Sequence, residues 1–148
     1  KGGKIMAIPT ITVDFDDTLY TKCFLSIGQK RLNFFRTMIN SGIFRVVVVT
    51  ARTNNIHEIS EFCENSNIRI DGIVSHAGDK LSILKELNSI AHFEDSDKLT
   101  PFLAEHGVNV FYMGEYTSSK CKEEWKESLV IKGEWHYYQK DNNTRGME

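Results

Sequence analysis

Proline is almost missing from this chain. There are two in 148 residues, Pro9 and Pro101, and neither stands in a Pro-, Gly- or Ser-rich run that could separate domains. Internal repeats and low-complexity segments are absent too, so residues 1–148 read as a single domain. Cysteine is scarce: Cys23, Cys63 and Cys121 are odd in number, far apart, and form no CxxC pair. That excludes a disulfide framework and argues against structural zinc. No apolar run approaches the ~20 residues that span a bilayer, and the start, "KGGKIMAIPT", lacks the apolar stretch of a secretory signal. Nor is there an excess of charge: the formal net value is −2, which draws the chain neither to nucleic acid nor to an anionic membrane. The expectation is a soluble cytoplasmic protein with no membrane partner and no clear nucleic-acid-binding signal.

What is present is an ordinary globular composition, 41% hydrophobic and 26% charged, arranged in alternating patterns. "TITVDF" (10–15) and "FRVVVVT" (44–50) read as strands, the second with the unbroken valines of a strand covered on both faces. Between them, 26–41 places Ile27, Leu32, Phe35 and Ile39 at helical spacing, with Gly42 as the stop. A helix over 53–66, a strand at 71–75, a helix over 79–90, a strand at 90–95, a helix over 97–106 and a strand at 108–114 follow. Such alternation predicts an α/β domain. Its form is a three-layer, doubly wound, Rossmann-like sheet of about five mainly parallel strands with helices on both faces. The core covers about 8–114. Residues 115–148, with Trp125, Trp135, Tyr137 and Tyr138, read as an extension packing on it.

In such folds ligands bind beyond the carboxyl ends of the strands, and here those ends carry polar chemistry. "DFDDT", "TAR" and "EDSD" each follow directly on a strand. Asp14 and Asp16, two apart, can face one crevice, where two unpaired carboxylates raise each other's pKa unless a cation holds them ionised. A hard divalent ion, magnesium above all, answers that need. Asp95, with Glu94 beside it, offers further carboxylate. Thr50 offers a hydroxyl and an amide, and Lys80, opening a helix, an ammonium. This set suits a phosphoryl group.

Four ordered motifs in these segments resemble those of the haloacid dehalogenase-like superfamily, most of whose members are phosphohydrolases. "DFDDT" looks like its DxDx(T/V) loop, Thr50 in "VVVVTAR" like its second motif, Lys80 like its third-motif lysine and "FEDSD" like its acidic fourth. The likeness runs from residue 10 to about 114. It implies a magnesium-dependent phosphatase in which Asp14 is the nucleophile that becomes an aspartyl-phosphate and Asp16 the general acid/base. Magnesium would be held by Asp14, the carbonyl of Asp16 and Asp95, with Glu94 a weaker ligand. Thr50 and Lys80 would bind phosphoryl oxygens. Two departures stand out: Asp17 occupies a place where the family often has glycine, and Glu94 one where it often has aspartate.

Simpler roles compete with each assignment. Thr50 could cap the helix at 53–66, Asp95 could cap the helix at 97–106, and Arg52 could clamp substrate phosphate or pair with an acid. His57, His76, His92, His106 and His136 share no ligand spacing and read as core or surface residues, His76 alone adjoining the lysine motif. Neither gap between motifs leaves room for a separate cap domain. By analogy with uncapped members of the superfamily it resembles, the expected substrate is a phosphorylated macromolecule, or a small molecule enclosed by a second copy of the chain. Alternatives are a phosphotransferase of the same kind, a silent phosphate-binding domain, or a receiver-like signalling module, although the end of "VVVV" lacks the aspartate that a receiver phosphorylates.

Overall fold

The computed structural model describes residues 7–22 and 26–114. Nine elements alternate: β1 (Thr10–Val13), α1 (Ser26–Ile39), β2 (Arg45–Val49), α2 (His57–Asn65), β3 (Gly72–Val74), α3 (Lys80–Glu86), β4 (Ser89–Glu94), α4 (Leu99–Glu105) and β5 (Val110–Tyr112). The strands form one five-stranded sheet in the order β3-β2-β1-β4-β5, and every pairing is parallel. The expected α/β architecture is thus the observed one. The predicted C-terminal extension lies outside the described residues, as do Cys23 and Cys121.

Residues paired in a parallel register face the same way, and faces alternate along each strand. Ile11, Val13, Val46, Val48 and Phe93 point to one side, where Phe35 and Ile39 of α1 and Ile59 and Cys63 of α2 complete a buried cluster. Val47 and Val49 point to the other, against Leu84 of α3 and Leu103 of α4. The four valines of β2 therefore serve two layers, which is why no polar residue interrupts them. Each contributes about 1.5–3 kcal/mol by burial. Burial also pushes the Cys63 thiol up to about 11, leaving it an inert packing group.

Helix ends depart from the sequence reading for local reasons. The helix expected over 53–66 begins only at His57, because Asn55 takes φ 55° and keeps "TARTNN" out of the helix. Thr50 therefore does not cap it. The helix expected to reach residue 90 stops at Glu86: Asn88, at φ 54°, turns the chain, and Ser89 and Ile90 join β4. At α4 the hydroxyl of Ser96, not Asp95, accepts the Leu99 N–H at 3.0 Å. Gly42, at φ 82°, closes the turn after α1 as expected. No helix among the described residues is long and apolar enough to cross a membrane.

Candidate functional site

The chain leaves β1 toward α1, on one face of the sheet, and leaves neighbouring β4 toward α4, on the other. The crevice beyond the carboxyl ends of these two strands is where open α/β sheets bind ligands. Asp14 follows Val13 directly, its N–H bonded to the Phe93 carbonyl at 3.0 Å. Because side chains alternate, Thr12 and Asp14 share a face, and so do their neighbours His92 and Glu94 on β4, where Thr12 and His92 are register partners. This puts a polar seam inside the α3/α4 layer, and α3 supplies its cation.

Lys80, the first residue of α3, is held in place by Asp79, whose carboxylate accepts the Ser82 N–H at 3.2 Å and caps the helix. The Lys80 ammonium donates to Asp14 Oδ1 at 2.9 Å and to Glu94 Oε1 at 3.0 Å. Glu94 also accepts from His92 Nε2 at 2.9 Å and, through Oε2, from the Ser96 N–H at 3.2 Å. The Thr18 hydroxyl lies between Asp14 Oδ2 at 3.4 Å and Asp95 Oδ1 at 3.3 Å. Asp14, Glu94 and Asp95 each offer an oxygen within 4.8 Å of the others. Such hard oxygen donors are suited to a divalent ion of the magnesium or calcium type rather than a thiolate-loving metal.

The electrostatics of this corner are unbalanced. Burial depresses the imidazole of His92, and the charge of Lys80 adds to that, so the ring is neutral. Burial pulls the Lys80 pKa down, but Asp14 and Glu94 outweigh it and raise it, holding the ammonium charged. Burial would likewise raise Glu94, yet His92 and Lys80 bring it down to about 2. Three ionised carboxylates against one ammonium then leave an excess of two negative charges. At roughly 4 Å and an effective dielectric near 20, each like-charged pair repels by about 4 kcal/mol. The molecule's own relief is to protonate Asp14, which burial, reinforced by a hydrogen bond with Asp95 and opposed by Lys80, lifts to about 8. A divalent cation would remove the same excess and leave Asp14 ionised.

The second carboxylate behaves differently. Asp16 is half exposed and takes two bonds from Arg52, Nε to Oδ2 and Nη2 to Oδ1, both at 2.9 Å. Arg52 also reaches Glu58 at 2.7 Å and the Asn55 carbonyl at 3.0 Å, and its guanidinium lies 5.2 Å above the ring of Phe15. Phe15, Tyr20 and Phe62 form an aromatic platform beneath it. The hydrogen bonds that Arg52 donates to Asp16 and then Glu58 raise its pKa further. Thr50, buried, accepts the Arg52 N–H at 3.1 Å through its hydroxyl, which keeps its own hydrogen to donate. Its carbonyl takes the Ala77 N–H at 2.9 Å, while the His76 N–H bonds the Arg52 carbonyl at 2.9 Å. The loop before Lys80 is thereby stapled to the end of β2. His76 itself is exposed and left-handed, at φ 57°.

Of the residues singled out in the sequence, Asp14, Lys80, Glu94 and Asp95 come together directly. Asp16 and Arg52 form their own pair beside them, tied to Thr50. The Asp16 carboxylate is not in the three-acid group. Arg52 pairs with acids, one of its two anticipated roles. Sequence reasoning missed His92, taken for an ordinary core or surface residue; its spacing of two from Glu94 on a strand was the available sign. Thr18 was noticed only as part of a motif. Comparison with protein families, with curated proteins and with solved structures returned no match.

Proposed function

We propose that the chain is a magnesium-dependent phosphomonoester hydrolase of the haloacid dehalogenase-like kind, working through an aspartyl-phosphate on Asp14. The observation that carries this reading is the Lys80 ammonium bridging Asp14 and Glu94, with Asp95 in reach. An aspartate at a strand end, a lysine from a later helix and an acidic pair from a third segment meet beside one carboxylate. Asp17 supports it too. It adopts φ 60°, a conformation open to glycine and tolerated by Asp or Asn, at the place where the family often has glycine.

In the proposed reaction Asp14 attacks phosphorus, forming an O–P bond as the bond from phosphorus to the leaving oxygen breaks. Lys80 fixes the orientation of the attacking carboxylate and offsets charge on the phosphoryl oxygens. Thr50 adds a hydroxyl donor. Asp16 protonates the leaving oxygen, then takes a proton from the water that attacks phosphorus and breaks the link to Asp14, releasing phosphate. Both Asp16 oxygens accept from Arg52 in the resting geometry, and each keeps a lone pair that can take a proton. A phosphate dianion competing for the guanidinium would loosen that pair as substrate binds. Asp14, Asp95 and the Asp16 carbonyl would hold magnesium, with Glu94 behind them, and the ion would neutralise charge on nucleophile and phosphate.

Among the described residues, one helix joins β1 to β2 and another joins β2 to β3, consistent with an uncapped site that admits macromolecules or is closed by a second copy. The test is a phosphate-release screen over nucleotides, sugar phosphates, phosphopeptides and 3′- or 5′-phosphorylated oligonucleotides, with and without magnesium. Continuous, magnesium-dependent release supports the reading. Stoichiometric phosphorylation without release would favour a signalling module, and transfer to an alcohol a phosphotransferase.

A further inference from the structure

The reaction above makes no use of His92, although it is fully buried and hydrogen-bonded at both ring nitrogens. Nδ1 lies 2.8 Å from the Thr12 hydroxyl, which in turn lies 2.8 Å from the Ser89 hydroxyl. Nε2 faces Glu94 Oε1 at 2.9 Å. The direction of this line is fixed by its end. The Glu94 carboxylate, paired with the Lys80 ammonium at Oε1 and with the Ser96 amide at Oε2, has no hydrogen to give, so Nε2 carries the hydrogen and donates. In the neutral ring Nδ1 then accepts from the Thr12 hydroxyl, and the Ser89 hydroxyl beside Thr12 donates to the Ala91 carbonyl at 2.9 Å. The line Thr12–His92–Glu94 therefore has one consistent polarity, and it ends on an acid of the three-carboxylate group.

We propose that His92 is a positioning residue: held by Thr12, it donates to Glu94 Oε1 and fixes that carboxylate against Lys80, keeping the Asp14–Glu94–Asp95 group in the geometry that binds a divalent ion. This rests on the metal-dependent reading but assigns a role to a residue outside the four motifs. Outer partners of this kind tune metal affinity through the orientation of the groups that touch the ion. An apolar ring in the same space would leave the seam's shape intact while removing the donor.

The test uses the full chain and Mn2+ alone, its affinity read by electron paramagnetic resonance, so that no substrate is needed. His92→Phe should weaken Mn2+ binding by roughly 10–100-fold while the far-ultraviolet circular dichroism stays that of the unmodified chain. His92→Gln, which can still present an N–H to Glu94, should recover most of the loss, a rescue that a purely structural role would not give. A folded His92→Phe chain with unchanged Mn2+ affinity overturns the proposal, as does a Gln variant no better than Phe. If His92→Phe does not fold, Thr12→Val decides: weaker binding supports the proposal and unchanged binding overturns it. A chain that releases no phosphate yet loses Mn2+ affinity in these variants keeps this inference and ends the hydrolase reading. A wild-type chain that binds no Mn2+ ends this inference, whatever phosphate it releases.

Discussion

Asp14 and Asp16 stand two residues apart at the end of one strand, yet the fold gives them opposite surroundings. Asp14 is 7% exposed and meets a buried lysine and two more acids. The Asp16 side chain is 49% exposed and meets an arginine that rests on an aromatic ring. β1 ends at Val13 and the chain then turns, the Thr18 N–H bonding the Phe15 carbonyl and the Leu19 N–H the Asp14 carbonyl, both at 3.2 Å, so strand alternation does not continue to Asp16. The difference matches the proposed division of labour. A nucleophile gains from being fixed and desolvated, because its attack geometry is then set in advance. A proton carrier must exchange with water and move between oxygens, which a half-exposed carboxylate can do.

The sharpest way to break this contrast is to remove each acid in turn. Asp14→Asn should lower phosphate release by more than about 10⁴-fold, because an amide cannot form the covalent intermediate. Asp16→Asn should cost roughly 10²–10⁴-fold, the usual range for a general acid/base. Phosphate-release kinetics on both variants, with thermal unfolding as a control, reads the difference, and equal losses would erase it.

Next in size is Lys80→Met, measured by urea unfolding without metal. It strands Glu94 and Asp14 without their cation, and breaking a buried pair costs about 3–5 kcal/mol. The third prediction concerns pH. Asp14 is raised from 3.8 to about 8, so the folded state holds a proton that the unfolded chain has lost. Its contribution is fully present below pH 3.8 and disappears as pH rises to about 8. Glu94, lowered from 4.5 to about 2, acts in the opposite sense and loses its contribution as pH falls from 4.5 to about 2. In chelator, Tm should therefore decline between pH 4.5 and 8, and magnesium should restore most at the upper end. A flat Tm profile across that window would remove the buried-acid account. Smallest is Arg52→Ala: with Asp16 half exposed, chemical unfolding should show a loss of about 0.2–1 kcal/mol.

Much of the fold was legible because strand alternation and valine runs report burial directly. β2 was plain in "VVVV", and the parallel order followed from strands separated by helices. Helix ends were not, because they turn on residues such as Asn55 and Asn88 adopting left-handed backbone, which asparagine permits without requiring. In the site, Asp14, Lys80 and Asp95 were legible as strand- and helix-end polar groups. Arg52 was not resolved, since "TAR" fits a substrate clamp and an acid partner equally well. His92 escaped because its spacing of two from Glu94 was the one sign in the sequence, and its other partner, Thr12, is set beside it only by the strand register.

The most direct measurement is to quench the reaction in acid at steady state, digest the chain and locate phosphate by mass spectrometry. The account predicts phosphate on the peptide containing Asp14, lost on treatment with alkali or hydroxylamine. Steady turnover with no modified peptide, or with phosphate on any other residue, would contradict it.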